Sequence, residues 1–273
     1  MKQIVNWGVL GCAGIAKAVT IPAILNAEGA RLYALASRSA DKLREFEALF
    51  HPVKGYTDYD ALLADPEVDA VYLPLPNALH AEWAIRAVRA GKPVLCEKPL
   101  AMTAGQVREI MAASEETGVP VMEAFAYMHG PMMAKIREIL DSGRLGPVRY
   151  IESNFSYLLE DLNNVRLIRD IGGGACYDLG CYPLSFFLDI MGEAPTKIST
   201  LTTFGERSKC DEDMLAILEF PSGAKASTSC AFSYHLSTRN LIACKYGTID
   251  MPSFFDLPAN IKRITVTTAE GRE

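Results

Sequence analysis

Short apolar runs alternate with amphipathic stretches along the first 125 residues of the chain. The runs predict buried strands, and the stretches between them, with apolar positions three and four residues apart, predict helices. Six strands are expected here, at residues 4–10, 31–36, 53–56, 70–75, 93–96 and 119–124. Strands that alternate with helices form parallel sheets covered on both faces, so residues 1–125 are predicted to form a doubly wound α/β domain.

Longer strand patterns dominate residues 126–273, after a predicted helix at 131–143 and around a second one at 172–184. The strands are expected at residues 148–156, 197–204, 214–220, 224–231, 241–246 and 261–267. Tight turns such as Pro221-Ser222-Gly223 join some of them, which favours antiparallel pairing. This part is predicted to be an α+β domain with an open-faced, mainly antiparallel sheet, whose uncovered face supports a homodimer or a higher homo-oligomer.

The composition narrows the class of partner. The 273 residues carry a net charge of −6 without a long run of one sign, which argues against nucleic acid and membrane surfaces. A small-molecule partner is therefore expected. The chain begins directly with a strand pattern and has no long apolar segment, so a cytoplasmic protein is expected. The seven cysteines lack C-x-x-C spacing, and they are expected to be reduced thiols of a cytoplasmic protein. The four histidines are scattered along the chain, so no metal site is predicted.

A glycine-rich turn follows the first strand. Its sequence, GCAGIA at residues 11–16, fills a G-x-G-x-x-G pattern with alanine at the second and third glycine positions. The first glycine makes a tight turn, and the other positions let the backbone approach a pyrophosphate and let the helix pack on the strand. Dinucleotide binding is predicted, with a turn that serves only packing as the alternative. The residues expected to bind are Gly11, Cys12, Ala13, Gly14, Ile15 and Ala16.

The second strand is followed by Ser37 and Arg38. An NAD-binding site usually has an acidic residue here, which binds the ribose hydroxyls. A hydroxyl and a planar guanidinium instead suit a 2'-phosphate. NADP is therefore the predicted cofactor, with NAD as the alternative if Arg38 is only an exposed surface residue.

A charged pair stands where the fifth strand ends. Glu97 and Lys98 directly follow a short buried strand and precede Pro99. Because the carboxyl ends of parallel strands border the ligand crevice, Lys98 is expected to point towards a ligand; a lysine that ends the strand in solvent is the alternative. His80 lies in the first turn of the preceding helix, where it either contacts the cofactor or caps the helix.

The helix predicted at residues 172–184 begins with three glycines and carries Asp178 and Tyr182 four residues apart on one face. This pair predicts a functional carboxylate and phenol. The helix dipole also favours a carboxylate near a helix start, and half-buried tyrosines are common, so a purely structural role is the alternative for each residue.

Several segments together resemble one protein family. They are GCAGIA at 11–16, Ser37-Arg38, PLPNALHAEWA at 74–84, AGKPVLCEKPLA at 90–101, MEAFAY at 122–127 and NNVRLIRDIGGGACYDLGCYPL at 163–184. Over nearly its whole length the chain is similar to the Gfo/Idh/MocA oxidoreductases, above all to the branch with glucose-fructose oxidoreductase, dimeric dihydrodiol dehydrogenase and xylose dehydrogenase. The resemblance implies a Rossmann domain followed by an open-faced sheet that usually makes a dimer interface. Members usually continue about 50 to 60 residues further, so the sequence is expected to be a shortened member or an incomplete gene product.

The resemblance also implies an activity, the NADP-dependent transfer of a hydride between nicotinamide and a secondary carbinol of a sugar, an inositol or a cyclic trans-diol. Lys98 would assist proton transfer, Tyr182 stands where many relatives have a histidine acid/base, and Asp178 would orient the substrate or that base. Because a free tyrosine has a pKa of ~10, the Lys98 ammonium would have to lower the pKa of Tyr182. Further cofactor contacts are implied for Leu75, Asn77, His80, Glu97, Lys98 and Arg166.

Two other functions remain open at this point. A glycosidase or lyase on the same fold would recycle a bound NAD and show no net turnover of the cofactor. A non-catalytic sensor would bind the same ligands without reaction. The presence of both Lys98 and Tyr182 favours an enzyme, whereas a shortened C-terminus favours the sensor or an inactive remnant.

Overall fold

A computed structural model describes residues 4–235, 237–254 and 263–272 of the chain. The chain divides into two compact domains, Met1–Ala124 and Phe125–Glu273. Each domain has its own hydrophobic core. The two are described separately below.

The first domain contains a six-stranded sheet in which every neighbouring pair of strands is parallel. The strands are β1 Val5–Leu10, β2 Ala30–Ala36, β3 Lys54–Tyr56, β4 Ala70–Leu73, β5 Val94–Cys96 and β6 Val121–Glu123. Their order is β3-β2-β1-β4-β5-β6, so the direction of winding reverses between β1 and β4. This confirms the predicted doubly wound fold and places its ligand crevice outside the carboxyl ends of these strands.

Five helices connect these strands: α1 Ile21–Asn26, α2 Ala40–Phe50, α3 Tyr59–Leu63, α4 Asn77–Arg89 and α5 Ala104–Thr117. Their ends follow the sequence signals. The hydroxyl of Thr103 accepts from the N–H of Gln106 at the start of α5, and Gly118 ends this helix with a φ of 68°. A π-helical turn at Ala16–Thr20 precedes α1, which the sequence pattern did not predict.

The second domain contains an eight-stranded sheet. Its strands are β7 Val148–Ser156, β8 Lys197–Phe204, β9 Asp211–Glu219, β10 Lys225–Ala231, β11 Ser237–Cys244, β12 Gly247–Met251, β13 Thr265–Thr268 and β14 Gly271–Arg272. The order is β14-β13-β12-β11-β7-β10-β9-β8. All neighbouring pairs are antiparallel except β7 and β10, which are parallel, so the predicted mainly antiparallel sheet is confirmed.

Some predicted bounds in this domain were wrong. The strand expected at 241–246 begins at Ser237 and ends at Cys244, and the short strands β12 and β14 were not predicted. Of the strand expected at 261–267, residues 261 and 262 lie outside the described part of the chain.

The helices α6 Pro131–Asp141 and α7 Cys181–Met191 contribute to the core of the second domain. One face of the sheet is buried in this core. The other face exposes apolar side chains near one edge, among them Leu201 of β8 and Leu215 of β9, which lie opposite each other. Every residue of β8 is exposed, so this edge is open on both sides.

Within the described residues no helix has the length and apolar character needed to cross a membrane. All seven cysteines are free thiols.

Candidate active site

The glycine-rich turn is fixed against two neighbouring strands of the first domain. Gly11 has a φ of +118°, a conformation that side chains with a Cβ rarely adopt. Its N–H donates to the carbonyl of Ala36 over 2.9 Å. A Cβ on Gly11 would lie 2.8 Å from Cδ2 of Leu75, so the turn and the Leu75 side chain pack directly together.

The same turn fits a pyrophosphate. Gly14 is exposed, and a Cβ added there would meet no atom within 4 Å, so the backbone is open to a close ligand. The helical segment that follows has no acidic residue in its first turn. Such a helix start carries a partial positive charge and favours an anion, as dinucleotide binding requires.

Ser37 and Arg38 have different surroundings. Ser37 is buried, its hydroxyl accepts from the N–H of Ser39 over 3.2 Å, and it also hydrogen-bonds the thiol of Cys12. Burial raises the pKa of Cys12 to about 11, although the Ser37 hydroxyl opposes the rise. Arg38 is exposed, with its guanidinium 5.9 Å from the ring centre of Tyr59, and forms no ion pair with any described residue. None of the described residues thus neutralises its charge.

Lys98 lies half-buried just beyond the end of β5, in a backbone segment that several side chains fix. The hydroxyl of Tyr72 donates to Oε1 of Glu97 over 2.6 Å. The carboxylate of Glu123 accepts from the N–H of Leu100 over 2.7 Å. The residues on both sides of Lys98 are therefore anchored to the neighbouring strands β4 and β6.

His80 fixes the same segment from below the surface. Its side chain is 0% exposed, with Nδ1 2.8 Å from the carbonyl oxygen of Pro99 and Nε2 2.7 Å from that of Leu75. Burial lowers the pKa of His80, although both carbonyls oppose this. The ring supports the backbone at Leu75 and Pro99, a role that neither of the two sequence interpretations included.

The carboxyl group of Glu123 near Lys98 has a raised pKa. Burial raises the pKa of Glu123, and the charge of Glu97 adds to the rise, whereas the Leu100 N–H and the charge of Lys98 lower it. Burial and the Glu97 carboxylate also raise the pKa of Tyr72, so this phenol stays protonated and remains a donor. The ammonium of Lys98 thus lies in a cluster with the carboxyl groups of Glu97 and Glu123 and the buried phenol of Tyr72.

In the second domain Asp178 is held by an ion pair. Nε of Arg166 donates to Oδ2 of Asp178 over 2.6 Å, and the hydroxyl of Tyr157 donates to the same oxygen over 3.3 Å. The Asp178 side chain is only 17% exposed. Burial acts to lower the pKa of Arg166, but the Asp178 carboxylate and nearby phenols raise it overall. The Arg166 side chain therefore contacts Asp178 and, through Nη1, the amide oxygen of Asn164 over 3.5 Å, and its contact with the cofactor stays a prediction.

Gly174, the last of the three glycines, stands where the helical segment that carries Asp178 begins. Gly174 has a φ of +133°, and a Cβ there would overlap the carboxylate of Asp211. Oδ2 of Asp211 accepts from the N–H of Cys176 over 2.6 Å. The predicted helix is in fact a π-helical turn, Cys176–Gly180, followed by α7, so Asp178 and Tyr182 belong to different helical types.

Tyr182 is half-buried in an aromatic cluster. Its ring centre lies 5.4 Å from that of Phe125 and 5.7 Å from that of Phe155, both close to edge-to-face. Tyr127 and Phe254 complete the cluster, at 6.1 and 5.8 Å. Such contacts fix the ring without using its hydroxyl.

The structure thus groups the predicted residues by domain. The glycine-rich turn, Ser37, Arg38, Leu75, His80, Glu97 and Lys98 belong to the first domain, as does Asn77 at the start of α4. Asp178, Tyr182 and Arg166 belong to the second, so the convergence of Lys98 with Tyr182 stays a prediction. Sequence reasoning missed Tyr72, Glu123 and Tyr157. The described residues hold no group of three or more His, Cys, Asp or Glu side chains placed for a metal ion.

Two family models match the chain. One, described as an oxidoreductase family with an NAD-binding Rossmann fold, matches residues 5–125, and the GFO/IDH/MocA C-terminal domain matches residues 133–250. The chain belongs to the Gfo/Idh/MocA oxidoreductase family. This confirms the predicted family, the oxidoreductase class and an NAD(P) cofactor.

Relatives of known activity agree with this assignment. The chain is 37% identical to D-xylose 1-dehydrogenase (NADP(+)) 2 of Haloferax volcanii, over 83% of this chain and 69% of that protein. It is 30% identical to trans-1,2-dihydrobenzene-1,2-diol dehydrogenase of Xenopus laevis, over 94% and 78%. A solved structure of KijD10, a 3-ketoreductase from Actinomadura kijaniata in complex with NADP and TDP-benzene, matches with a TM-score of 0.90 at 30% identity, covering 99% of this chain and 83% of that one.

Proposed function

We propose that this oxidoreductase uses NADP to oxidise or reduce a secondary carbinol of a sugar, an inositol or a cyclic trans-diol. Its family members include a xylose dehydrogenase, a dihydrodiol dehydrogenase and a sugar-nucleotide ketoreductase, which all act at C–O centres of hydroxylated rings. The observation that carries the proposal is the Arg166-anchored carboxylate of Asp178 one helical turn before Tyr182. A held carboxylate is suited to bind a substrate hydroxyl, and a phenol four residues further along the chain is suited to move its proton.

The residues have separate tasks in this proposal. NADP, when bound, supplies the hydride chemistry. The turn at Gly11 and Gly14 binds the pyrophosphate, and Arg38 binds the 2'-phosphate. Oη of Tyr182 takes the proton of the carbinol during oxidation, and the ammonium of Lys98 stabilises the phenolate. Asp178 accepts a hydrogen bond from the substrate and orients it, while Arg166 holds the carboxylate in place.

A turnover screen tests this function. Purified protein is incubated with NADP⁺ or NAD⁺ and with aldoses, inositols and trans-diols, and formation of the reduced cofactor is followed by absorbance. We expect net reduction of NADP⁺ with at least one of these classes. Bond cleavage in the substrate without net reduction of either cofactor would instead indicate the cofactor-recycling reaction, and ligand binding without any reaction would indicate a sensor.

Cofactor preference is expected to depend on Arg38. Replacing Arg38 by alanine should weaken NADP binding about tenfold or more and leave NAD binding nearly unchanged, because only NADP has the 2'-phosphate that a guanidinium binds. Dissociation constants for both cofactors, measured by fluorescence titration, check this. Arg31→Ala serves as control, since Arg31 is an exposed arginine of β2, the strand that Arg38 follows. Tighter binding of NAD by the wild-type protein would contradict the proposal.

Self-association is expected to use the exposed face of the second sheet. Leu201 is 73% exposed and lies opposite Leu215, and Ile217 extends the same apolar face. Leu201→Lys should therefore shift the protein towards monomer in sedimentation velocity, because a charge would be buried in the interface. Ile198→Lys is the matched control, since Ile198 lies on the opposite face of β8 and is 58% exposed. A wild-type protein that is only monomeric at micromolar concentration would exclude this interface.

The seven free thiols also suit a reducing compartment, and we place the protein in the cytoplasm.

A further inference from the structure

A carboxyl group without a role in the proposed reaction lies at the carboxyl end of the first sheet. Glu123 is the last residue of β6, and the pairing of β5 with β6 sets it directly beside Cys96, the last residue of β5. The N–H of Ala124 donates to the carbonyl of Cys96 over 2.7 Å, so the two strands are still joined at this point. Glu123 therefore stands next to the segment that leaves β5 and carries Lys98.

Two side chains hold the polar atoms of one peptide group, that between Pro99 and Leu100. Oε1 of Glu123 accepts from the N–H of Leu100 over 2.7 Å. Nδ1 of His80 lies 2.8 Å from the carbonyl oxygen of Pro99. Pro99 has no N–H, so the N–H of Leu100 is the first one after Lys98 that a side chain can hold. This peptide group is thus fixed at both its oxygen and its nitrogen.

The carboxyl group of Glu123 also interacts with the ammonium of Lys98. Burial raises the pKa of Glu123 and the charge of Glu97 raises it further, whereas the Leu100 N–H and the charge of Lys98 lower it. A charge interaction acts equally on both partners, so the carboxylate of Glu123 favours the protonated form of Lys98 as strongly as Lys98 favours the carboxylate. The two charges therefore support each other in a place where burial disfavours either charge alone.

The other titratable groups near this pair are neutral or are held elsewhere. The phenol of Tyr72 in β4 and the thiol of Cys96 in β5 have raised pKa values through burial, so both are neutral near pH 7. Burial lowers the pKa of His80 in α4, so this ring is mainly neutral near pH 7 as well. The carboxylate of Glu97 accepts from the hydroxyl of Tyr72 over 2.6 Å, which holds it towards β4. Glu123 is thus the carboxylate on the side of β6.

A charge at position 123 is not needed to hold the Leu100 N–H. A glutamine has the same length, and its amide oxygen would accept the same hydrogen bond without the cost of burying a charge. The carboxyl group of Glu123 therefore supplies what an amide would not, a negative charge beside Lys98.

We propose that Glu123 is a positioning residue of the reaction proposed above. Its carboxylate keeps the side chain of Lys98 protonated, and together with His80 it fixes the peptide group that follows Pro99 and so directs this side chain. The proposal rests on the proposed function, because Glu123 acts through the role given to Lys98. An ordinary lysine has a pKa of ~10.4, so the effect of the carboxylate belongs to the alkaline range, where Glu123 is ionised and Lys98 would otherwise lose its proton.

The pKa of Lys98 tests the proposal directly. Protein labelled with ¹³C at Cε of lysine is titrated by NMR from pH 7 to 11, and Lys98→Arg identifies the Lys98 signal. We expect Glu123→Gln, which keeps an acceptor for the Leu100 N–H, to lower the pKa of Lys98 by about 0.5 to 1. Glu123→Asp keeps the charge and should lower it less. Glu116→Gln is the matched control and should leave it unchanged, because Glu116 is exposed in the last turn of α5.

The reciprocal titration leaves Glu123 in place. In protein labelled with ¹³C at Cδ of glutamate, Lys98→Met should raise the pKa of Glu123, because a charge that lowers it is lost. Lys42→Met, which removes an exposed lysine from α2, should have no effect. An unchanged pKa of Glu123 in Lys98→Met, or an unchanged or higher pKa of Lys98 in Glu123→Gln, overturns the proposal.

Kinetics separate the charge of Glu123 from a purely structural role. With the substrate found in the turnover screen, the kcat of Glu123→Gln relative to wild type should be about two- to fourfold lower at pH 10 than at pH 7, because at pH 7 Lys98 is protonated in both proteins. A relative loss that is equal at both pH values would show that Glu123 only supports the fold, against the proposal. The NMR titrations need no turnover, so a protein that shows the Glu123–Lys98 coupling but reduces no cofactor contradicts only the proposed function.

Discussion

Replacing Tyr182 by phenylalanine is expected to lower kcat by about 10²- to 10⁴-fold, because the variant loses the group that accepts and returns the carbinol proton. The dissociation constant for NADP should remain nearly unchanged, since the residues assigned to the pyrophosphate and the 2'-phosphate belong to the first domain. Steady-state kinetics with the substrate found in the turnover screen, together with cofactor titration, measure both quantities.

The structure makes phenylalanine a conservative choice at this position. The Tyr182 ring is held by edge contacts with Phe125 and Phe155, which a phenyl ring keeps. Tyr127→Phe is the matched control, because Tyr127 belongs to the same cluster and its hydroxyl hydrogen-bonds the hydroxyl of Ser185 over 2.6 Å. We expect Tyr127→Phe to affect stability more than kcat. Wild-type turnover in Tyr182→Phe would remove this phenol from the mechanism.

Replacing Lys98 by methionine is expected to lower kcat by about 10²-fold or more and to shift the pH dependence of alcohol oxidation. In the proposed mechanism the Lys98 ammonium favours the phenolate and so lowers the pKa of Tyr182. Removal of the charge raises this pKa, and the limb on which oxidation increases with pH should therefore move to higher pH. Rate profiles from pH 6 to 11 with saturating NADP⁺ measure the shift.

Two comparisons separate charge from position at Lys98. Lys98→Arg retains a cation and should keep the limb closer to its wild-type pH than Lys98→Met does, even if the bulkier guanidinium lowers kcat. Lys54→Met is a control for the loss of a lysine elsewhere in the first domain, since Lys54 pairs with Asp65 over 2.8 Å beside β3. If Lys98→Met lowers kcat but leaves the limb at its wild-type pH, Lys98 has a role in binding and not in tuning the phenol.

Much of the fold could be predicted because local pattern and tertiary structure agree. The alternation of apolar runs with amphipathic stretches located all six strands of the first sheet. The parallel pairing of β7 with β10 could not be predicted in this way, because paired residues 75 positions apart, such as Ser156 and Ala231, leave no local signal of pairing. Turn residues report only on neighbouring strands, such as β9 and β10 around Gly223.

The candidate site was predicted where chemistry depends on chain position and missed where it depends on contacts. Lys98 was selected as a candidate because it follows a buried strand and precedes a proline. Glu123 is the last residue of β6, so the same criterion, a charged residue at the carboxyl end of a buried strand, could have selected Glu123 as well. His80 differs, because its two carbonyl partners, Leu75 and Pro99, lie 5 and 19 positions away and only the folded chain brings them to its ring.

The hydrogen bonds that hold the residues beside Lys98 come from Tyr72, His80 and Glu123, and those that hold Asp178 come from Tyr157 and Arg166. Each set lies within one domain. Each of these two groups of residues is therefore held by contacts within its own domain, so recombination at the Ala124–Phe125 junction would leave the contacts of both groups intact. Chimeras that join this first domain to the second domain of another family member are thus a route to new substrates at constant cofactor preference.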